Sequence, residues 1–130
     1  MTLAEIRDIL NATAITGQMS LQHPVESAYC ADLMSDVLSF SVAKCLLITG
    51  LTNAQVIRTA DMAAIAMIVF VQGKQPAAET IRLAEEKNIP LLVTDFSMFD
   101  TCGRLYAKGL RSQSAPLGRA PIVTCREGYV

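Results

Sequence analysis

Three small clusters of polar residues in this chain could do chemistry, and each follows a run of aliphatic side chains. They are Thr49-Gly50 with Thr52-Asn53, Gln72-Gly73-Lys74, and Thr94-Asp95 with Ser97. A glycine lets a ligand approach the backbone closely, free N–H groups at a helix start attract an anion, and a lysine adds a compact positive charge. The same residue types also cap helices and close turns without binding anything. Both readings stay open. The candidate ligand-binding residues are therefore Thr49, Gly50, Thr52, Asn53, Gly73, Lys74, Thr94 and Asp95.

Other chemistries find less support. Neither GxxxxGK[ST] nor GxGxxG occurs, and "TGLTN" offers a single glycine, so a P-loop kinase or Rossmann dehydrogenase is not indicated. GxSxG and SxxK are absent too. Cys30, Cys45, Cys102 and Cys125 are spaced by 15, 57 and 23 residues, which matches no CxxC pair or zinc module. His23 is the single histidine and sits beside Pro24, away from every cysteine in sequence. The cysteines read as buried, reduced thiols that act as small hydrophobes. Asp32 and Asp36, four apart, would share one helix face and could hold a cation or share a proton. A helix cap plus a solvated acid is the simpler account. No catalytic residue, metal or cofactor is expected.

The elements that must position the loops follow from periodicity. "TLAEIRDIL" reads as a helix: Thr2 and Glu5 have capping-box spacing, and Leu3, Ile6, Ile9 and Leu10 form one stripe. "ATAIT" reads as a short strand with Gly17 as its turn, and Val25 to Tyr29 as a strand beside it. "ADLMSDVLSFSVA" reads as a helix with Asp32 as N-cap, apolar around most of its circumference. Its residues Leu33, Met34, Val37 and Phe40 are therefore candidates for a dimer interface.

From Cys45 the chain repeats a unit. "CLLIT", "MIVFV" and "PLLVT" are continuous apolar strands starting 22 to 23 residues apart, and a helical segment follows each, at 53–64, 77–88 and 97–109. Strands of that kind are parallel and covered by helices on both faces. Right-handed crossovers then bring the three polar clusters to one sheet edge, where ligands bind in open α/β sheets if the strand order switches direction. Thr52 or Asn53, Asp95 or Ser97 would cap helices, Pro76 would lie near a first turn, and Gly109 would end the last helix. The fold class is α/β: a three-layer domain with a mostly parallel sheet of about five strands and helices on both faces.

The chain has 130 residues, 52% hydrophobic, 18% charged and 5% aromatic, which suits one aliphatic α/β core. A formal net charge of −1 without a basic run gives no footing for nucleic acid. "MTLAEIRDIL" lacks a signal-peptide layout, and runs such as "MAAIAMIVFVQG" are too short to span a bilayer. A cytoplasmic location with no membrane partner is expected. Residues 111–130, "RSQSAPLGRAPIVTCREGYV", read as a partly irregular tail in which "PIVTC" could add an edge strand.

Taken in order and spacing, "ADLMSDVLSF", "LLITGLTNAQVIRTADM", "IVFVQGKQP" and "IPLLVTDFSMFDTCGRLY" resemble the DRTGG domain family over residues 1–110. Such domains are similar to the N-terminal domain of HPr kinase/phosphorylase. They also occur between the CBS domains of some family II pyrophosphatases and before the catalytic part of some phosphate acetyltransferases, and stand-alone copies are found, some of them beside iron-hydrogenase components. The resemblance implies a three-layer α/β fold, self-association and a regulatory or ligand-sensing role without catalysis. The residues that name the family are not kept: Gly50-Leu51-Thr52 stands where many relatives carry Gly-Asp-Arg, and Val71-Gln72-Gly73 where they carry Thr-Gly-Gly.

Two functional readings result. The first is a homodimeric, non-catalytic module that senses a nucleotide or other small anionic metabolite at the β→α edge. The alternative is a ligand-free interaction or scaffold subunit with a protein partner, an accessory to a hydrogenase-type redox system.

Overall fold

The computed structural model describes residues 1–16 and 22–112. The expected turn at Gly17, the tail from residue 113 with its "PIVTC" segment, and Cys125 lie outside the described residues. The elements run α1 (Leu3–Leu10), β1 (Thr13–Ala14), β2 (Ala28–Cys30), α2 (Met34–Phe40), β3 (Leu46–Thr49), α3 (Ala54–Met62), β4 (Met67–Phe70), α4 (Ala78–Lys87), β5 (Leu91–Val93) and α5 (Met98–Ala107). They form a three-layer α/β domain around one mostly parallel five-stranded sheet.

The strand order is β1-β5-β4-β3-β2. Strands β2 to β5 are parallel neighbours in chain order, and β1 closes the far edge antiparallel to β5. Every residue of β3, β4 and β5 is buried, as continuous apolar runs in a doubly covered sheet require. Side chains alternate across the pleat. Leu47, Ile68, Phe70, Leu91 and Val93 pack on one face with Val37 of α2, Val56 and Ile57 of α3 and Ala84 of α4. Leu46, Ile48, Met67, Val69 and Leu92 pack on the other with Leu3, Ile6 and Leu10 of α1 and Leu105 of α5.

The caps follow the sequence logic at most helix ends. Thr2 and Glu5 form a capping box on α1, and Asn11 ends that helix in the left-handed conformation. Asn53 Oδ1 accepts the Gln55 N–H, and Ser97 Oγ accepts the Asp100 N–H. Gly109 follows α5 at φ +108°, backbone space that glycine enters without steric cost.

Three expectations are corrected. The second strand is Ala28–Cys30 rather than Val25–Tyr29, and it lies at the opposite edge from β1, against β3. Val25 instead bonds through its N–H to the Met1 carbonyl at 2.6 Å and buries its side chain among α1 residues. Helix α2 begins later than the apolar pattern suggests: Leu33 is its N-cap residue and no side chain caps it. Asp32 therefore lies before the helix, and Asp32 and Asp36 are not a pair on one helical face. Val37 is fully buried in the core, so it cannot contribute to a dimer surface, whereas Leu33 (60%) and Phe40 (43%) are exposed and Met34 is half-buried.

Candidate functional site

Parallel strands β2 to β5 all end at one edge of the sheet, so the segments after them converge there. These are 31–33, 50–53, 71–77 and 94–97. Helices α2, α3 and α4 pack on one face, while α5 crosses to the other. The connections therefore diverge between β4 and β5, the place where an open α/β sheet usually leaves a crevice. Here backbone bonds close it. Gln72 N–H donates to the Phe96 carbonyl and Gly73 N–H to the Thr94 carbonyl, each at 2.8 Å. A ligand at this edge must sit on the loops rather than between them.

The first loop is organised by a residue from another segment. Asp32 Oδ1 accepts the Gly50 N–H at 2.7 Å and the Thr49 hydroxyl at 3.0 Å. Thr49 Oγ1 in turn accepts the Leu51 N–H at 3.2 Å. Thr49 is fully buried, so its hydroxyl is committed to the fold. The Asp32 carboxylate fills the position that a bound anion would otherwise take at Gly50. The sequence placed Asp32 as a helix cap, and nothing in local spacing shows a partner 17 residues away.

In the second loop, Lys74 N–H donates to the Val71 carbonyl at 3.2 Å, closing a turn with positive φ at both Gln72 (+59°) and Gly73 (+67°). That sign pattern is the one a type I′ turn requires. Gln72 thus holds a left-handed conformation that a non-glycine residue seldom adopts. A Cβ on Gly73 would stand 2.9 Å from Asp95 Oδ1, an exposed side-chain end that can turn aside, so this glycine is needed chiefly for its φ. A Cβ on Gly50 would stand 3.3 Å from Lys74 Nζ and 3.6 Å from Asp32 Oδ1. Gly50 therefore separates an exposed ammonium from an exposed carboxylate. Helix α4, which starts three residues beyond Lys74's neighbour Gln75, has Ala77 at its N-cap, which offers no side-chain acceptor.

The remaining candidates divide. Thr52 uses its carbonyl to accept the Thr80 hydroxyl at 2.8 Å, tying the first loop to α4. Asn53 is exposed and caps α3. Thr94 is 1% exposed and donates its hydroxyl to the Leu10 carbonyl at 2.7 Å, which leaves it no role in ligand contact. Asp95 is exposed beside Gly73. The edge thus brings Gly50, Gly73, Lys74 and Asp95 together, adds Asp32, and withdraws Thr49 and Thr94.

Of the described cysteines, Cys45 is buried as expected, whereas Cys30 is not. Burial raises the Cys45 thiol pKa. Cys30 is exposed and Cys102 half-buried, and although 72 positions apart in the chain they line the same cavity. Among the described residues, no group of three or more His, Cys, Asp or Glu side chains is placed to hold a metal ion. No helix among them is long and apolar enough to cross a membrane.

Fold and site together define a mostly parallel, three-layer α/β domain that gathers its polar loops at one sheet edge. The family model of the DRTGG domain matches residues 5–107, and the chain belongs to that family. Among solved structures it is similar to the CBS and DRTGG domains of the regulatory region of Clostridium perfringens pyrophosphatase, complexed with the activator diadenosine tetraphosphate. The TM-score is 0.67 at 21% identity, over 80% of this chain and 45% of that one. The chain thus spans less than half of that structure, and at this identity the likeness speaks for the fold. No curated protein matches the sequence.

Proposed function

We propose that the chain is a non-catalytic regulatory module, cytoplasmic and homodimeric, that senses a nucleotide or a similar small anionic metabolite on its β→α loops. The observation that carries this reading is the exposed Lys74 ammonium, poised over Gly50 between the Asp32 and Asp95 segments. An ammonium over Gly50 suits a phosphate, and α4, which follows the same loop, starts without an N-cap side chain. Two carboxylates at the same edge would repel a bare anion, but they accept hydrogen bonds from ribose hydroxyls or base amino groups. A nucleotide carries both kinds of group. The related pyrophosphatase regulatory region, complexed with a dinucleotide activator, supports the same ligand class.

A non-catalytic role is supported by the hydroxyls at the edge, which are already bonded within the fold. Thermal-shift and calorimetric titration with nucleotides of increasing phosphate number test the proposal, using wild type and Lys74→Ala. Stabilisation of the wild type that largely disappears in Lys74→Ala is expected. No response to any nucleotide, or an equal response in both proteins, would sink it. Sedimentation showing only monomer at micromolar concentration would remove the dimer.

The alternative, a protein-interaction subunit such as an accessory to a hydrogenase-type redox system, is favoured by one specific feature. Phe99 (85% exposed) and Tyr106 (59%) stand out from α5 on the side away from α2. Large apolar side chains exposed together mark contact surfaces.

A further inference from the structure

Cys30 closes β2 and aligns with Ile48 of β3. Partnered residues of parallel strands point to the same side of the sheet. Ile48 belongs to the core beneath α1 and α5, so Cys30 faces α5. Cys102 sits one helical turn before Leu105, packed against that same core. Both cysteines line a cavity of about 160 Å³, together with Tyr29, Leu105, Tyr106 and Arg111. Arg111 stacks its guanidinium 3.7 Å from the centre of the Tyr106 ring, which fixes one wall. The two thiols thus share one cavity between β2 and α5, and Cys30 is open to solvent.

We propose that Cys30 and Cys102 form a thiol–disulfide exchange site, in which a small disulfide oxidises the pair to an intrachain bond joining the edge strand β2 to α5. The Cys102 thiolate attacks one sulfur of the small disulfide, its S–S bond breaks, and one thiolate leaves. Cys30 then loses its proton and attacks the Cys102 sulfur of the mixed disulfide, expelling the second thiolate. In sum, two protein thiols become one disulfide and one small disulfide becomes two thiols, so atoms and electrons balance. Polarity favours this order. The hydrogen bond from Cys30 holds the Cys102 thiol down, to about 7, against the upward pull of burial. The same bond, followed by burial, raises Cys30. A thiolate poised near neutrality is the efficient nucleophile in exchange. The bond would also pin the segment leading from Cys30 into Asp32, two residues on.

The full chain, reduced and then equilibrated with a series of glutathione to glutathione-disulfide ratios, tests this after acid quench, alkylation and peptide mapping. A peptide pair linked through Cys30 and Cys102 within a monomer is expected. Cys30→Ala should instead accumulate glutathione on Cys102, because the resolving thiol is gone. Bonds to Cys125, bonds between chains, or stable glutathione adducts on the wild type would overturn the proposal. An independent readout is the pH dependence of Cys102 alkylation. The wild-type midpoint should fall near 7 and move upward in Cys30→Ala. Identical midpoints in two folded proteins would also overturn it.

Discussion

Asp32 should stabilise the first loop through Thr49 and Gly50, and a double-mutant cycle can measure this. Asp32→Ala removes the acceptor of two hydrogen bonds, at 2.7 Å from Gly50 N and 3.0 Å from Thr49 Oγ1. Hydrogen bonds to a charged group contribute about 1.5–3 kcal/mol each, but solvent at exposed Asp32 reduces this. Water can replace the partner of the half-exposed Gly50 N–H. It cannot easily reach the fully buried Thr49 hydroxyl. A total loss of about 1–2 kcal/mol is therefore expected for Asp32→Ala. Thr49→Val should cost about 1 kcal/mol, since it also removes the acceptor of the Leu51 N–H. The double variant should lose less than the sum, by about 1 kcal/mol, because both single changes delete the same bond. Urea unfolding followed by circular dichroism, with the slope unchanged across variants, gives all three values. Additivity to within about 0.3 kcal/mol would refute the reasoning and return Asp32 to the solvated cap suggested by the sequence.

Three further outcomes follow from the same structure. Val37→Ala should lower stability by about 2 kcal/mol in urea unfolding, as a fully buried aliphatic, while Phe40→Ser on the outer side of the same helix should change monomer stability by under about 0.5 kcal/mol and instead weaken self-association in sedimentation. Gly73→Ala should destabilise by about 1–2 kcal/mol in thermal unfolding, since alanine must hold a φ of +67° while the exposed Asp95 side chain turns aside. Thr101 Oγ1 is buried without a hydrogen-bond partner among the described residues, so Thr101→Val should be neutral or raise stability by about 1 kcal/mol in the same assay.

The repeated β→α units were legible because each central strand is buried on both faces and reads as an unbroken aliphatic run. The edge strands carried no such signal. β1 has two exposed residues, and β2 has three that are half-buried or exposed, so neither can show a burial period. Val25 looked like strand because it is apolar and β-branched, yet its burial comes from α1. Helix α2 carries apolar residues on more than one side, and periodicity cannot say which of those sides faces inward. At the candidate site, Gly50, Gly73, Lys74 and Asp95 were legible from loop position alone. Asp32 was read as a cap because local spacing describes helix ends, not acceptors for a distant loop. Cys30 and Cys102 escaped for the same reason: motif spacing records chelates formed by neighbouring residues, and this pair is formed by a strand end meeting a helix.

The topology also bears on how tightly a ligand can be held. With α2, α3 and α4 side by side on one face, divergence occurs at the β4–β5 step, and two backbone bonds already bridge that step. Ligand pockets usually enclose most of a small molecule's surface. A ligand resting on these loops touches the chain on one side, so the proposed nucleotide would leave its other side in water. A second copy could supply the missing wall. If it does, nucleotide binding and dimerisation are linked, and each must strengthen the other by the same factor. Titrations at increasing protein concentration should then give tightening affinity. A dissociation constant independent of protein concentration across the monomer–dimer transition would show that one chain holds the ligand alone.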